Sequence, residues 1–218
     1  MIVRNRQKKA IKIDVALSKS FPNSKVELDF TNPIELLVAT MLSAQSTDVK
    51  VNQVTKDLFL KYPKFKDYLD VSPNEFESDI RSIGLYRQKS KNILATLKII
   101  FEKFDSQVPS TIENLLSLPG VGRKSANVIL GNIFEIPGIV VDTHVTRVSR
   151  RLGLTDNSNP VAIERDLESL LPKQKWIKFG QRIVLHGRYI CKAKRPLCEG
   201  CNIVSECISN DKVFDGSI

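Results

Sequence analysis

The sequence predicts an all-α protein, and three observations carry that reading. Apolar residues recur at helical spacing in segment after segment. Residues suited to cap a helix stand at the start of several of these segments. Alternation of apolar and polar residues, the mark of a half-buried strand, is lacking, and GIVV (138–141) is the single short strand-like run.

The elements follow in order. TNPIELLVATML (31–42) predicts a helix with Asn32 as N-cap and Pro33 at its first position, with Ile34, Leu37, Val38, Met41 and Leu42 on one face. The polar stretch SAQST (43–47) interrupts it. Asp48 is expected to cap the next helix, with Val51, Val54 and Leu58 inward. SPNEFESDI (72–80) has Ser72, Pro73 and Glu75 in capping-box order. KNILATLKIIFEKF (91–104) is amphipathic, with its lysines on the wet face. TIENLLSL (111–118) leads through a glycine turn into SANVILGNIF (125–134). VVDTHVTRVSRRLGL then opens a helix with Val145, Val148 and Leu152 on one side. A weak internal echo links SIGLYRQKSKNIL (82–94) with LPGVGRKSANVIL (118–130).

Of the 218 residues, 42% are hydrophobic, enough for one large or two small cores. Thirty-three basic residues against 24 acidic ones give a formal charge of +9. Such an excess favours polyanionic partners through counterion release and long-range steering, but does not identify one. The apolar runs are too short to span a bilayer, and MIVRNRQKKAIK has no apolar stretch behind its charges, so a cytoplasmic location is expected.

Gly120-Val121-Gly122, followed by Arg123 and Lys124, invites a phosphate-binding reading. The dinucleotide fingerprint requires a preceding strand, and ENLLSLP is helical; a P-loop requires glycine directly before lysine, and Arg123 intervenes. Two helices joined by a glycine hairpin fit better. The unsatisfied N–H groups at the start of the second helix, with its dipole, would grip a DNA phosphate without reading sequence. A plain αα-turn is the bland alternative. Lys124 would lie in the first turn of that helix beside Arg123, where dipole and like charge both disfavour a protonated amine. It reads as a phosphate contact or as a nucleophile toward C1′ of a deoxyribose. Asp142 follows an apolar run, where it can cap a helix and also serve as a catalytic carboxylate. His144 reads as a structural or backbone-contacting residue rather than as a second base.

All the cysteines lie within one C-x6-C-x2-C-x5-C array, Cys191, Cys198, Cys201 and Cys207. Clustering points to metal rather than to disulfides, with a [4Fe–4S] cluster favoured over zinc because only one C-x2-C knuckle is present. The intervening KAKRPL would present Lys192, Lys194 and Arg195 to phosphates.

Together, MLSAQSTDVKVN, IGLY, LPGVGRKSANV, VVDTHVTRV, LHGRYIC and the cysteine spacing resemble the endonuclease III family, from about residue 30 to about 207. The resemblance implies two helical domains with DNA bound across their cleft. A six-helix barrel with the helix-hairpin-helix would occupy 26–136; 1–25 and 137–218 would carry the iron–sulfur cluster. It implies a bifunctional DNA glycosylase and abasic-site lyase of base excision repair, acting as a monomer on double-stranded DNA with damaged pyrimidines or abasic sites. Lys124 would be the nucleophile and Asp142 the carboxylate. Gln45 would fill the space of a flipped nucleotide, and Leu85 would wedge into the stack. Adenine glycosylases of the group lack this lysine and carry a glutamate where Thr40 stands, and thymine glycosylases typically have tyrosine in place of Lys124. A monofunctional glycosylase of the same fold and a non-catalytic DNA-binding iron–sulfur protein are the rival readings.

Overall fold

The structure is a computed structural model that describes residues 2–214, with side chains from residue 5 onward. The chain divides into two compact units, Val26–Glu135, and Met1–Lys25 together with Ile136–Ile218. Among the described residues all regular structure is helical. GIVV is no strand: Ile139 and Val141 are buried in the core of their unit, so the run is apolar for packing rather than for pairing.

The Val26–Glu135 unit is built around α2 (Pro33–Leu42), against which α3 (Asp48–Lys61), α6 (Tyr86–Lys103) and α8 (Arg123–Ile133) pack. Asn32 accepts the Glu35 N–H at 3.0 Å and caps α2 as expected. The helix is not one-faced, however: Leu36 through Leu42 are all buried, so it is enclosed on every side. Each buried leucine there contributes about 2 kcal/mol of transfer free energy. Thr47, not Asp48, caps α3, accepting the Lys50 N–H at 3.3 Å, and Asp48 is the first helical residue. Val51 and Leu58 face inward with Thr55, whereas Val54 is half-buried.

Two short helices follow, α4 (Phe65–Asp70) and α5 (Pro73–Asp79). Ser72 accepts the Glu75 N–H at 3.3 Å, while the Glu75 carboxylate pairs with Lys61 at 3.0 Å. The helix expected over 91–104 begins earlier, at Tyr86, and its lysines at 91, 98 and 103 are exposed. The added first turn contains Lys89, which is buried. The single-turn α7 (Ile112–Leu116) completes the unit, capped by Thr111.

In the other unit α1 (Ile2–Ser20), α9 (Thr143–Arg151), α10 (Pro160–Leu170) and α11 (Trp176–Tyr189) surround a core of Ile13, Leu17, Val148, Ile163, Phe179 and Ile183. α9 and α11 approach closely, and a Cβ on Gly187 would fall 2.8 Å from the His144 Cβ. The buried carboxylate of Asp14 on α1 accepts from Lys175 and Arg182 at 2.7 Å each, fixing α1 to the start and middle of α11.

Candidate functional site

The glycine turn joins α7 to α8. The Val121 N–H donates to the Leu118 carbonyl at 3.1 Å, and buried Val121 anchors the turn. Gly120 has φ +76°, and a Cβ on it would meet Asn92 of α6 at 2.7 Å, so conformation and packing both require glycine there. Thr96, one turn further along α6, donates to the Pro119 carbonyl at 2.9 Å. Gly122 differs. It is the N-cap of α8 with φ −91°, and no atom beyond its own residue and its chain neighbours lies within 4 Å of where its Cβ would be. Backbone conformation therefore does not demand glycine at 122; the open space in front of it is what a side chain would occupy. Gly122 offers no side-chain cap and the first turn of α8 has no acid, which leaves an N-terminus suited to an anion. Arg123 and Lys124 are exposed in that turn.

Gln45 and Leu85 lie in the same unit and share a rare feature. Both are exposed non-glycine residues in the left-handed region, at φ 55° and 58°. Such backbone costs on the order of 1–3 kcal/mol and persists where surrounding structure enforces it. Leu85, 62% exposed, is the N-cap of α6, and Gln45 stands in the turn between α2 and α3. The internal echo has a structural counterpart, since a left-handed residue, Leu85 or Gly120, shortly precedes both α6 and α8.

Asp142 belongs to the other unit. Its Oδ1 accepts the Val145 N–H at 2.8 Å, which makes it the N-cap of α9 and uses one of its two oxygens. It lines an open groove of about 1100 Å³ with Arg147, Arg150 and Arg151 and with two further carboxylates, Asp156 and Asp211, the latter ion-paired to Arg151. Burial is the main cause that lowers the proton affinity of His144, with Arg147 and Arg188 adding to it and Asp142 opposing. Its Nδ1 stands 3.2 Å from Arg147 Nη2, and its body packs on α11.

The four cysteines line one cavity of about 30 Å³, together with apolar Val148, Leu152, Ile190 and Ile203. Arg151 Nη1 donates to Cys191 Sγ at 3.4 Å, the Val213 N–H to Cys198 Sγ at 3.4 Å, and Cys207 Sγ to the Arg151 carbonyl at 3.4 Å. Burial raises the Cys201 thiol, and the three neighbouring cysteines raise it further. Among the described residues, no three His, Cys, Asp or Glu side chains converge as they would around a single ion.

Lys192, Lys194 and Arg195 are all exposed on the loop between the first two cysteines, and Arg195 has φ 50°. Two arginines of α9 hold this loop from behind, and the sequence reading missed both. Arg147 donates to the Gly187 carbonyl at 2.8 Å and the Cys191 carbonyl at 3.0 Å; Arg151 donates to the Lys192 and Ala193 carbonyls at 2.8 and 3.3 Å. Their i, i+4 spacing in TRVSRR was the available signal.

Known proteins resemble this chain in sequence and in fold. Residues 38–173 match the model of the HhH-GPD superfamily of base excision DNA repair proteins. Endonuclease III of Bacillus subtilis is 47% identical over 193 residues, covering 88% of each chain. That of Synechocystis is 45% identical over 206 residues, covering 94% of each. A solved structure of a trapped endonuclease III–DNA covalent intermediate superimposes with a TM-score of 0.88 at 43% identity, covering 93% of this chain and 95% of that one. Fold and match thus define the class, a helix-hairpin-helix base excision repair protein. Within it, the chain belongs to the endonuclease III family.

Proposed function

We propose that this base excision repair enzyme, a DNA glycosylase with abasic-site lyase activity, acts on oxidised or saturated pyrimidines in double-stranded DNA through Lys124 and Asp142. The observation that carries the residue assignment is an exposed lysine in the first turn of α8, directly behind a glycine hairpin suited to a phosphate. The relative trapped as a covalent DNA intermediate supports it.

The target nucleotide must leave the stack, because its glycosidic carbon is shielded inside the duplex. Gln45 fills the vacated space and Leu85 wedges the neighbouring step. The N–H groups behind Gly122 and the side chain of Arg123 hold a phosphate. Asp142 takes a proton from Lys124 or stabilises positive charge on the sugar as the base departs. The neutral Nζ of Lys124 bonds to C1′ as the glycosidic bond breaks, and the base leaves with that electron pair and takes up a proton. The attached nitrogen gives up a proton, its lone pair expels the ring oxygen from C1′, and that oxygen takes up a proton as the C4′ hydroxyl, leaving a Schiff base. Removal of a C2′ proton then expels the 3′ phosphate by β-elimination, and water releases the lysine.

The residues at the cysteine cavity fit a [4Fe–4S] cluster: four soft thiols, apolar walls, and Arg151 donating to a sulfur. Cys191, Cys198, Cys201 and Cys207 would hold it. When bound it would supply a rigid cationic core that offsets the mutual repulsion of the thiolates and fixes the loop of Lys192, Lys194 and Arg195 against DNA. Acting on DNA as a monomer in the cytoplasm accords with this role, and no helix among the described residues is long and apolar enough to cross a membrane.

The test is borohydride reduction during reaction with a duplex carrying one thymine glycol, followed by peptide mapping. An adduct on Lys124, absent in Lys124→Ala, is expected. Base release without an adduct would mean a monofunctional glycosylase; trapping on an abasic duplex alone would move the lesion class.

A further inference from the structure

Lys89 is 7% exposed, yet its ammonium meets neutral acceptors, the Leu42 carbonyl at 2.8 Å and Ser46 Oγ at 3.1 Å. Burying an ammonium is costly, and burial lowers its proton affinity here. What offsets that cost is the C-terminus of α2, where Leu42 is the last helical residue and the dipole is negative. An apolar side chain would fill the same space without the cost, so the charge itself calls for a reason.

Position supplies one. Ser46 directly follows Gln45, and the Ser46 N–H donates to the Ser43 carbonyl at 3.0 Å, so Lys89 closes the turn in which Gln45 is held at positive φ. The Lys89 N–H donates to the Leu85 carbonyl at 3.0 Å, the first helical bond behind Leu85, which is also left-handed. Further along the same face of α6, Asn92 abuts Gly120 and Thr96 donates to the Pro119 carbonyl. Leu85, Lys89, Asn92 and Thr96 are spaced i, i+4, i+7 and i+11, which is one stripe of a helix. One face of α6 therefore starts at Leu85 and touches both the 43–46 turn and the 118–122 hairpin.

We propose that Lys89 is a positioning residue for nucleotide extrusion: it fixes the Gln45 turn relative to Leu85 and the 118–122 hairpin, so that both insertion residues enter the duplex in register. The proposal rests on the roles given above to Gln45 and Leu85. An extrusion wedge must enter at a fixed spacing from the phosphate grip, and displacement by about 1 Å is enough to lose a large part of a rate.

The experiment uses the full chain with a duplex carrying thymine glycol beside 2-aminopurine, whose fluorescence rises on unstacking. Lys89→Met is expected to lower both the fluorescence change and the base-release rate about tenfold. Borohydride trapping on a single-stranded abasic oligonucleotide, which needs no extrusion, should stay within about twofold of wild type. Because Lys89 acts through Gln45, the double variant Lys89→Met/Gln45→Ala should be no worse than the more impaired single variant. Wild-type extrusion in Lys89→Met, additive losses in the double variant, or equal loss on duplex and single strand would each overturn the proposal. Should Lys89→Met not fold, Ser46→Ala, at a half-exposed turn position, must show a smaller loss confined to duplex, and wild-type behaviour there overturns it. Silent Gln45→Ala and Leu85→Ala controls would instead remove the insertion roles on which it stands.

Discussion

The Oδ1 of Asp142 accepts the Val145 N–H at 2.8 Å, and asparagine would accept it as well. Asp142→Asn should therefore leave unfolding free energy within about 0.5 kcal/mol of wild type, whereas Asp142→Ala should lose about 1 kcal/mol with its cap. Both should lose base release if the carboxylate is catalytic; chemical denaturation and single-turnover assays on the same preparations separate the two effects. The hairpin glycines divide in the same way. Gly120→Ala meets both a positive φ and Asn92, and should cost about 2 kcal/mol in a denaturant titration. Gly122→Ala has free space and ordinary backbone, so its stability should hold while affinity for any DNA sequence falls, read by fluorescence anisotropy. From the sequence the two glycines look equivalent. The positive φ of Gly120 and the packing of Asn92, twenty-eight residues earlier, tell them apart.

Elements were legible where a local rule decides them. Asn32 and Ser72 cap their helices through side-chain chemistry that needs no distant partner. Thr47 and Asp48 are adjacent and both suit the cap, and it is Thr47 that takes it. α1 carries the stripe Ala10, Ile13 and Leu17, but the apolar Ile11 and Val15 lie off it and blur the pattern, and its burial depends on α10 and α11, far along the chain. Lys89 was invisible for the same reason, its partner Leu42 lying 47 residues away. At the scale of the 192–195 loop, the exposed cations make a salt-dependence prediction. Lys194→Ala should flatten the slope of log affinity against log salt by roughly one unit if it contacts a phosphate. An unchanged slope would take that residue out of the interface.

For the whole molecule, the all-α class followed from periodicity and the absence of alternation, and family membership from motif order. The charge of +9 said only that polyanions are favoured. Losing the proposed cluster would leave four thiols around an apolar cavity with nothing between them. Purified protein should be brown, and bleaching the cluster by oxidation and chelation should lower DNA affinity and the melting temperature together, by calorimetry and anisotropy. α2 has a further consequence. A helix buried on every side from Leu36 to Leu42 has no face through which solvent can reach its peptide groups. Its amide protons can trade with deuterium only when the whole Val26–Glu135 unit opens, so their exchange times that rare event and reads its free energy without denaturant.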